Sequence, residues 1–290
     1  MGNLTLKNDE YNLCPVWEAI LDVYNEFRSI CDRHSLRYYI TDGTAIGAVR
    51  HNGFIPWDDD FDLSMPREDY EKFIEIAKDE LPQHLKFVNW KNTPELTMMV
   101  GKIQDVRRDR IIAIEEQIGR MLPGGIYIDI FPIDGYPESR LEIFWVRLVT
   151  SILSSIIRFR CMSLKQQSRK GCIVWFLGAC WSTLMPWMTH KRCMNICEGF
   201  LLRHPFETSR NTGRASLRIT LLNRTPLAKT VWGEPIRHEF CGLQVPLPHG
   251  FDTYLRALYG DYMQPPPIEK RQPGHVYSWR CPWWLGPTRP

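Results

Sequence analysis

Four aspartates stand within five positions of this sequence, Asp58, Asp59, Asp60 and Asp62, interrupted only by Phe61. Carboxylates at that density repel one another, and a cation among them removes the repulsion. Residues two apart on a strand share a face, so Asp58, Asp60 and Asp62 are expected to line one side while Phe61, Leu63 and Met65 turn to a core. An oxygen-only donor set suits Mg²⁺ or Mn²⁺, which keep positions open for the oxygens of a substrate phosphate. The expected chemistry is metal-assisted transfer of a phosphorus group.

Two further segments belong with that cluster. Asp42-Gly43-Thr44-Ala45, with Gly47, makes a small-residue turn at a helix start, where free backbone N–H groups and the helix dipole favour a phosphate. Downstream, Tyr127-Ile128-Asp129-Ile130-Phe131 places a carboxylate inside an apolar strand, which is costly unless it is paired or metal-bound. Asp129 is therefore a third-carboxylate candidate and Asp134 its rival. Lys102, in the apolar run TMMVGKIQDV, and Arg50 are candidates for contact with donor phosphates.

The surrounding periodicities supply the elements that must position these groups. Apolar residues from Val16 to Ile30 recur at helical spacing behind Pro15, predicting an opening amphipathic helix over 14–35. A short strand over 36–40, a helix over 45–50, a strand over 60–65, a helix over 66–81 and strands over 85–90, 97–106, 111–114 and 126–131 follow. Residues 1–138 thus read as a catalytic α/β core with a mixed sheet, 139–225 as an appended helical lobe, 226–280 as a segment folding back on the core, and 281–290 as a loose tail.

The 36 basic and 33 acidic residues give a net charge of only +3, which does not argue for nucleic acid. Between Arg140 and Arg203, however, ten basic residues face two acidic ones, a local +8 that leaves the rest of the chain at −5. That excess flanks an uncharged run of 17 residues, Cys172 to Met188, too short for a span of about 20 and broken by Pro186. A buried helical lobe, an interfacial surface and a true span are the three readings, the last disfavoured by that length. On the second, residues 140–203 reach the cytoplasmic face of a membrane. Nine scattered cysteines without paired ligand spacing point to reduced thiols in a cytoplasmic protein, and residues 1–10 carry no apolar signal segment.

The stretch ITDGTAIGAVRHNGFIPWDDDFDLSMPREDYEKF, with YIDIFPIDGYP and YLRALYGDYMQPPPIEKRQPGH further on, resembles the LicD family of phosphorylcholine transferases, to which the fukutin group is related. The resemblance runs through the chain in order and is weakest over 140–228. It implies an α+β (α/β) nucleotidyltransferase-like fold, a mixed sheet flanked by helices. It also implies transfer of phosphocholine from CDP-choline to a sugar hydroxyl of a surface glycan or glycolipid, such as a lipopolysaccharide or teichoic acid. By that resemblance Asp60 and Asp62 are the metal pair, Asp58 the preceding acid, and Gly43 with Thr44 the phosphate turn, while Lys102 falls where the family tends to place a basic residue. Lys270, Arg271 and His275 are expected to fold back towards the substrate phosphates. A nucleotidyltransferase acting on a nucleic acid or a small molecule shares the fold logic. The basic excess, however, sits on the apolar lobe and not beside the acidic cluster, so nucleic acid is not the expected partner.

Overall fold

The computed structural model describes residues 10–93, 96, 98–107, 111–115, 121–161, 169–214 and 226–273. Helix α1 (Cys14–Arg33) buries Val16, Trp17, Ile20, Val23, Tyr24, Phe27 and Ile30, the stripe its spacing predicts. Strand β1 (Tyr39–Ile40) leads into helix α2 (Asp42–His51), strand β2 (Asp62–Pro66) and helix α3 (Arg67–Glu80). Strands β3 (Leu85–Val88), β4 (Gly101–Asp105), β5 (Ile111–Glu115) and β6 (Met121–Gly135) complete the core of a mixed sheet. Its principal order is β1-β2-β6-β4-β3, and β6 is 15 residues long, pairing in succession with β5, β4, β2 and β7 (Asn211–Arg214). The β2–β6 pair is parallel and its neighbours are antiparallel, so the fold is α+β with a curled mixed sheet.

One sheet face is apolar at its centre. Leu63, Met65, Ile103, Ile128 and Ile130 are fully buried there, and Phe61, at the entry to β2, packs its ring against Tyr24 at 4.9 Å and Phe240 at 5.5 Å. Burial of side chains of this size contributes roughly 1.5–3 kcal/mol each, enough to hold the register of β2 against its polar opposite face.

The structure shortens the expected strands over 36–40, 85–90 and 97–106 to β1, β3 and β4, and it also trims the start of β2. The reading over 60–65 begins only at Asp62, because the Asp58 N–H closes a turn onto the Ile55 carbonyl at 2.8 Å and the Asp58 carbonyl accepts from Trp17 Nε1 at 2.8 Å. Asp58 and Asp60 therefore lie on the turn that enters β2, and not on its ladder.

Helices α4 (Arg140–Cys161), α5 (Arg169–Leu184) and α6 (His190–Leu201) form the lobe, with α4 packed on both others. The buried-lobe reading holds for α6, whose Cys193 and Cys197 are fully enclosed, but not for α5, whose Ile173, Phe176, Leu177 and Leu184 stand exposed. Beyond β8 (Leu227–Ala228) come the hairpin β9 (Ile236–Phe240)–β10 (Leu243–Leu247) and helix α7 (Phe251–Tyr259), which return to α2: β9 and α7 lie against it, and the Cys241 N–H donates to the Asn52 carbonyl at 2.8 Å. His275 and the expected tail over 281–290 lie outside the described residues.

Asp134 is joined to Arg67 by two hydrogen bonds of 2.6 and 2.8 Å in full burial, and Arg67 also reaches Glu198 of α6 at 3.6 Å. Removing one member of such a pair strands the other charge. Asp134→Asn is expected to destabilise the fold by about 3 kcal/mol, with the double change Arg67→Met/Asp134→Leu recovering most of the loss. Thermal and urea melts of both variants against the parent check this.

Candidate active site

Strand pairing alone assembles the centre of the site. Asp62 of β2 stands opposite Asp129 of β6, and Asp129 stands opposite Lys102 of β4, so three side chains from three adjacent strands form one row on one face. Lys102 Nζ donates to Asp129 Oδ1 at 2.5 Å and sits 3.7 Å from the Tyr127 ring centre, one step along the same face. The isolated lysine of the TMMVGKIQDV run thus has a carboxylate partner and an aromatic seat, both buried.

The turn before α2 closes one side. Thr44 Oγ1 accepts the Asp62 N–H at 2.8 Å, which ties the turn to the first residue of β2. A Cβ on Gly43 would come within 2.6 Å of Asp58 Oδ2, so only glycine lets the turn approach the acidic segment this closely. Asp42 adopts φ +49°, a left-handed conformation unusual outside glycine, and its carboxylate is gripped from three sides. Arg214 of β7 donates to Oδ2, while Tyr254 and Tyr259 of α7 donate to Oδ1 at 3.3 and 2.9 Å. The same guanidinium lies 4.3 Å from the centre of the Phe131 ring and reaches Thr41 and Ser64 at 3.3 Å each.

The electrostatics divide these acids into two kinds. Burial pushes Asp42 up, but the Arg214 charge and its hydrogen bond, with those from Tyr259 and Tyr254, outweigh it and hold the carboxyl below its ordinary range. Asp58 is pushed well above that range, by desolvation first, then by the charges of Asp60 and Asp59 and by a hydrogen bond shared with Asp60. Asp62 is likewise pushed well up, by desolvation and then by Asp60, Asp42 and Asp129. Asp42, Asp58, Asp60, Asp62 and Asp129 therefore form one field of negative charge. They do not form a preassembled cage: among the described residues no three His, Cys, Asp or Glu side chains converge in metal-ligating geometry. In this arrangement Asp58 is hydrogen-bonded to Asp60, and Asp129 to Lys102.

A basic rim borders the acids. Arg50 is held by the Tyr262 carbonyl at 2.7 Å, and its pKa is lowered by burial and then by the like charge of Arg271, with Asp58 opposing. Arg271 lies 5.1 Å from the Trp57 ring centre and donates to the Pro266 carbonyl at 2.8 Å. Arg50 and Arg271 thus meet beside Trp57 and Asp58, whereas Lys270 is exposed. Asp134, the rival third carboxylate, is committed to Arg67.

Sequence reasoning missed Arg214, Tyr254 and Tyr259, and it missed Asp42 as an anchoring carboxylate. Arg214 carries no local signal in the polar tetrad NTGR, 172 positions from its partner. The two tyrosines were visible only as part of the family-like segment beginning at Tyr254.

A mixed sheet that sets carboxylates on adjacent strands beside a glycine turn at a helix start defines a nucleotidyltransferase-fold transferase. Residues 35–145 match the family described as "LicD/FKTN/FKRP, nucleotidyltransferase domain". The chain is 27% identical over 281 residues to "Lipopolysaccharide cholinephosphotransferase LicD" of Haemophilus influenzae, spanning 95% of this chain and 98% of that protein. An uncharacterised protein of Rickettsia prowazekii is 22% identical over 130 residues, 43% of this chain and 49% of its own length. Another, of Rickettsia typhi, is 35% identical over 65 residues, 22% of this chain and 20% of its own. Residues 35–145 thus match a LicD-type nucleotidyltransferase domain, and the chain is a transferase enzyme.

The raised Asp58 and Asp62 carboxyls have a consequence for stability. A group whose folded pKa exceeds its unfolded value favours the fold while protonated, and this contribution is lost as pH rises through the folded value. In chelator, the melting temperature is expected to fall as pH rises above the ordinary carboxylate range of about 4. Asp58→Asn is expected to flatten that slope and to melt higher than the parent at neutral pH. Calorimetry across the range checks both.

Proposed function

We propose that this enzyme transfers phosphocholine from a CDP-linked donor to a sugar hydroxyl of a cell-surface glycan or glycolipid, with Mg²⁺ or Mn²⁺ held by Asp58, Asp60, Asp62 and Asp129. The observation that carries this reading is the row Asp62–Asp129–Lys102, with Asp58 and Asp60 crowded beside it. The donor set is oxygen-only, and Asp58 and Asp62 are pushed up first by burial and then by the like charges around them, two penalties that a cation among them relieves. The Haemophilus relative, named as a cholinephosphotransferase of lipopolysaccharide, supports the choline head group and the glycan acceptor. A nucleotide-activated donor places the reaction in the cytoplasm, at the inner face of the membrane where such acceptors are built.

When bound, the divalent ion neutralises the donor's phosphates and stabilises charge on the leaving phosphate oxygen. The chain's own residues supply positioning and proton handling. Gly43 and Thr44 bring α2's N-terminus up to the donor, and its first N–H groups are the natural hold for a phosphate. Arg50 and Arg271 offer two guanidinia beside Trp57 to the nucleotide end of the donor, and Arg214, already on Asp42, holds that acid back from competing for the donor's place. Asp129 takes the acceptor hydroxyl's proton as its oxygen attacks the choline-bearing phosphorus. The bond from that phosphorus to the bridging oxygen breaks, and CMP departs with the electron pair. Lys102, hydrogen-bonded to Asp129, keeps that carboxylate oriented and adds positive charge beside the transferred phosphate.

Purified protein is expected to release CMP from CDP-choline, in preference to other CDP-linked donors, only when Mg²⁺ or Mn²⁺ and a glycan acceptor are supplied. Asp60→Asn and Asp62→Asn should each lower turnover about a thousand-fold while remaining folded. Asp129→Asn should lower kcat more than it raises KM, and Lys102→Met should weaken donor affinity about tenfold. Near-normal turnover in a folded Asp60→Asn or Asp62→Asn protein would falsify the metal assignment.

A further inference from the structure

Helix α5 turns much of its apolar surface outward. Its side towards α4 joins a close backbone approach to one aromatic contact: Gly178 packs so closely that a Cβ would run into the Ser155 carbonyl, Ser182 is buried, and the Trp175 ring meets that of Phe159 at 4.8 Å. Its outer side carries Ile173, Phe176, Leu177 and Leu184, at helical spacing and between 51% and 66% exposed, and the turn that follows exposes Trp187. The first half of α4 does the same with Leu141, Phe144, Trp145 and Leu148. A helix with apolar groups outward suits surroundings less polar than water. No helix among the described residues is long and apolar enough to cross a membrane.

The charge around this surface has one sign. Both acidic residues of the 140–203 stretch are engaged elsewhere: Glu142 with His204 at 2.8 Å, and Glu198, buried, with Lys91 at 3.0 Å and Arg67 at 3.6 Å. What faces outward is basic: Arg140, Arg147, Arg160, Lys191, Arg192 and Arg203 are all exposed. A second copy docked face to face would bring like charges together, whereas an anionic bilayer matches both the apolar surface and its basic surround.

We propose that α4, α5 and the Trp187 turn dock on an anionic lipid bilayer, lying in its interface with Ile173, Phe176, Leu177, Leu184 and Trp187 among the headgroups and upper acyl chains. Tryptophan is the residue type that settles at that depth, and the basic residues around the face meet lipid phosphates. This surface is distinct from the carboxylate row, so docking leaves the chemistry of the site to other residues.

The test is flotation of the full chain with phosphatidylcholine vesicles, with and without phosphatidylglycerol. The protein is expected to float with the anionic vesicles, and binding should fall about tenfold when salt is raised from about 0.1 to about 0.5 M. Ile173→Glu/Leu177→Glu should abolish flotation, and Arg140→Glu/Lys191→Glu should weaken it, each with an unchanged melting curve because the altered side chains are exposed. Failure of the parent chain to float at low salt overturns the proposal, as does flotation of the Ile173→Glu/Leu177→Glu protein at the parent's level. Light scattering that shows a vesicle-free dimer, dissociated by those same two substitutions, overturns it in favour of a self-interface.

Discussion

Two unit charges of like sign 4 Å apart repel by about 4 kcal/mol where the effective dielectric is near 20. This fold nevertheless draws five aspartates into one field. The parallel pairing of β2 with β6 does this, because it alone sets Asp62 opposite Asp129. A slip of one residue in that register would turn Asp62 into the core and Leu63 into the site. The register holds because the centre of the opposite face is apolar, from Leu63 and Met65 across Ile128 and Ile130 to Ile103. Hydrophobic burial on one side of a single sheet thus sustains charge crowding on the other.

The buried acids near this sheet meet two different fates, and the contrast locates the chemistry. Asp134 and Asp42 each have a dedicated arginine, Arg67 and Arg214, which keeps the charge in place as part of the frame. The first pair joins α3 to the end of β6 and, through Glu198, to α6; the second joins α2 to β7 and the tyrosines of α7. Asp58 and Asp62 are pushed up, first by desolvation and then by the carboxylates around them. Buried groups perturbed in this way are candidates for a functional site.

The same argument applies to the lobe. Core helices bury apolar surface because water penalises its exposure, and α1 obeys this with a continuous buried stripe. Helix α5 turns much of its apolar surface outward, and it is held to α4 by the close backbone approach at Gly178 and by the packing of Trp175 on Phe159. The acidic row and this exposed face divide the molecule into a polar site and an apolar flank, each built on its own set of contacts.

Local pattern in the chain was sufficient to locate Asp58, Asp60, Asp62, Asp129 and the Gly43–Thr44 turn, because each lies in a segment whose period or composition is itself unusual. Helices α1 and α3 were legible for the same reason: their apolar spacing is a property of neighbours in sequence. Where β2 begins was not legible, because its start is settled by the indole of Trp17, 41 positions away, which takes up the Asp58 carbonyl. Nor could the chain in one dimension show that Lys102 meets Asp129, that Arg214 meets Asp42, or that Arg271 returns to Trp57. Those pairings are set by strand register and by the return of the C-terminal segment to α2. A charge attracts any opposite charge within reach, so only tertiary packing decides which of the 36 basic residues reaches which acid.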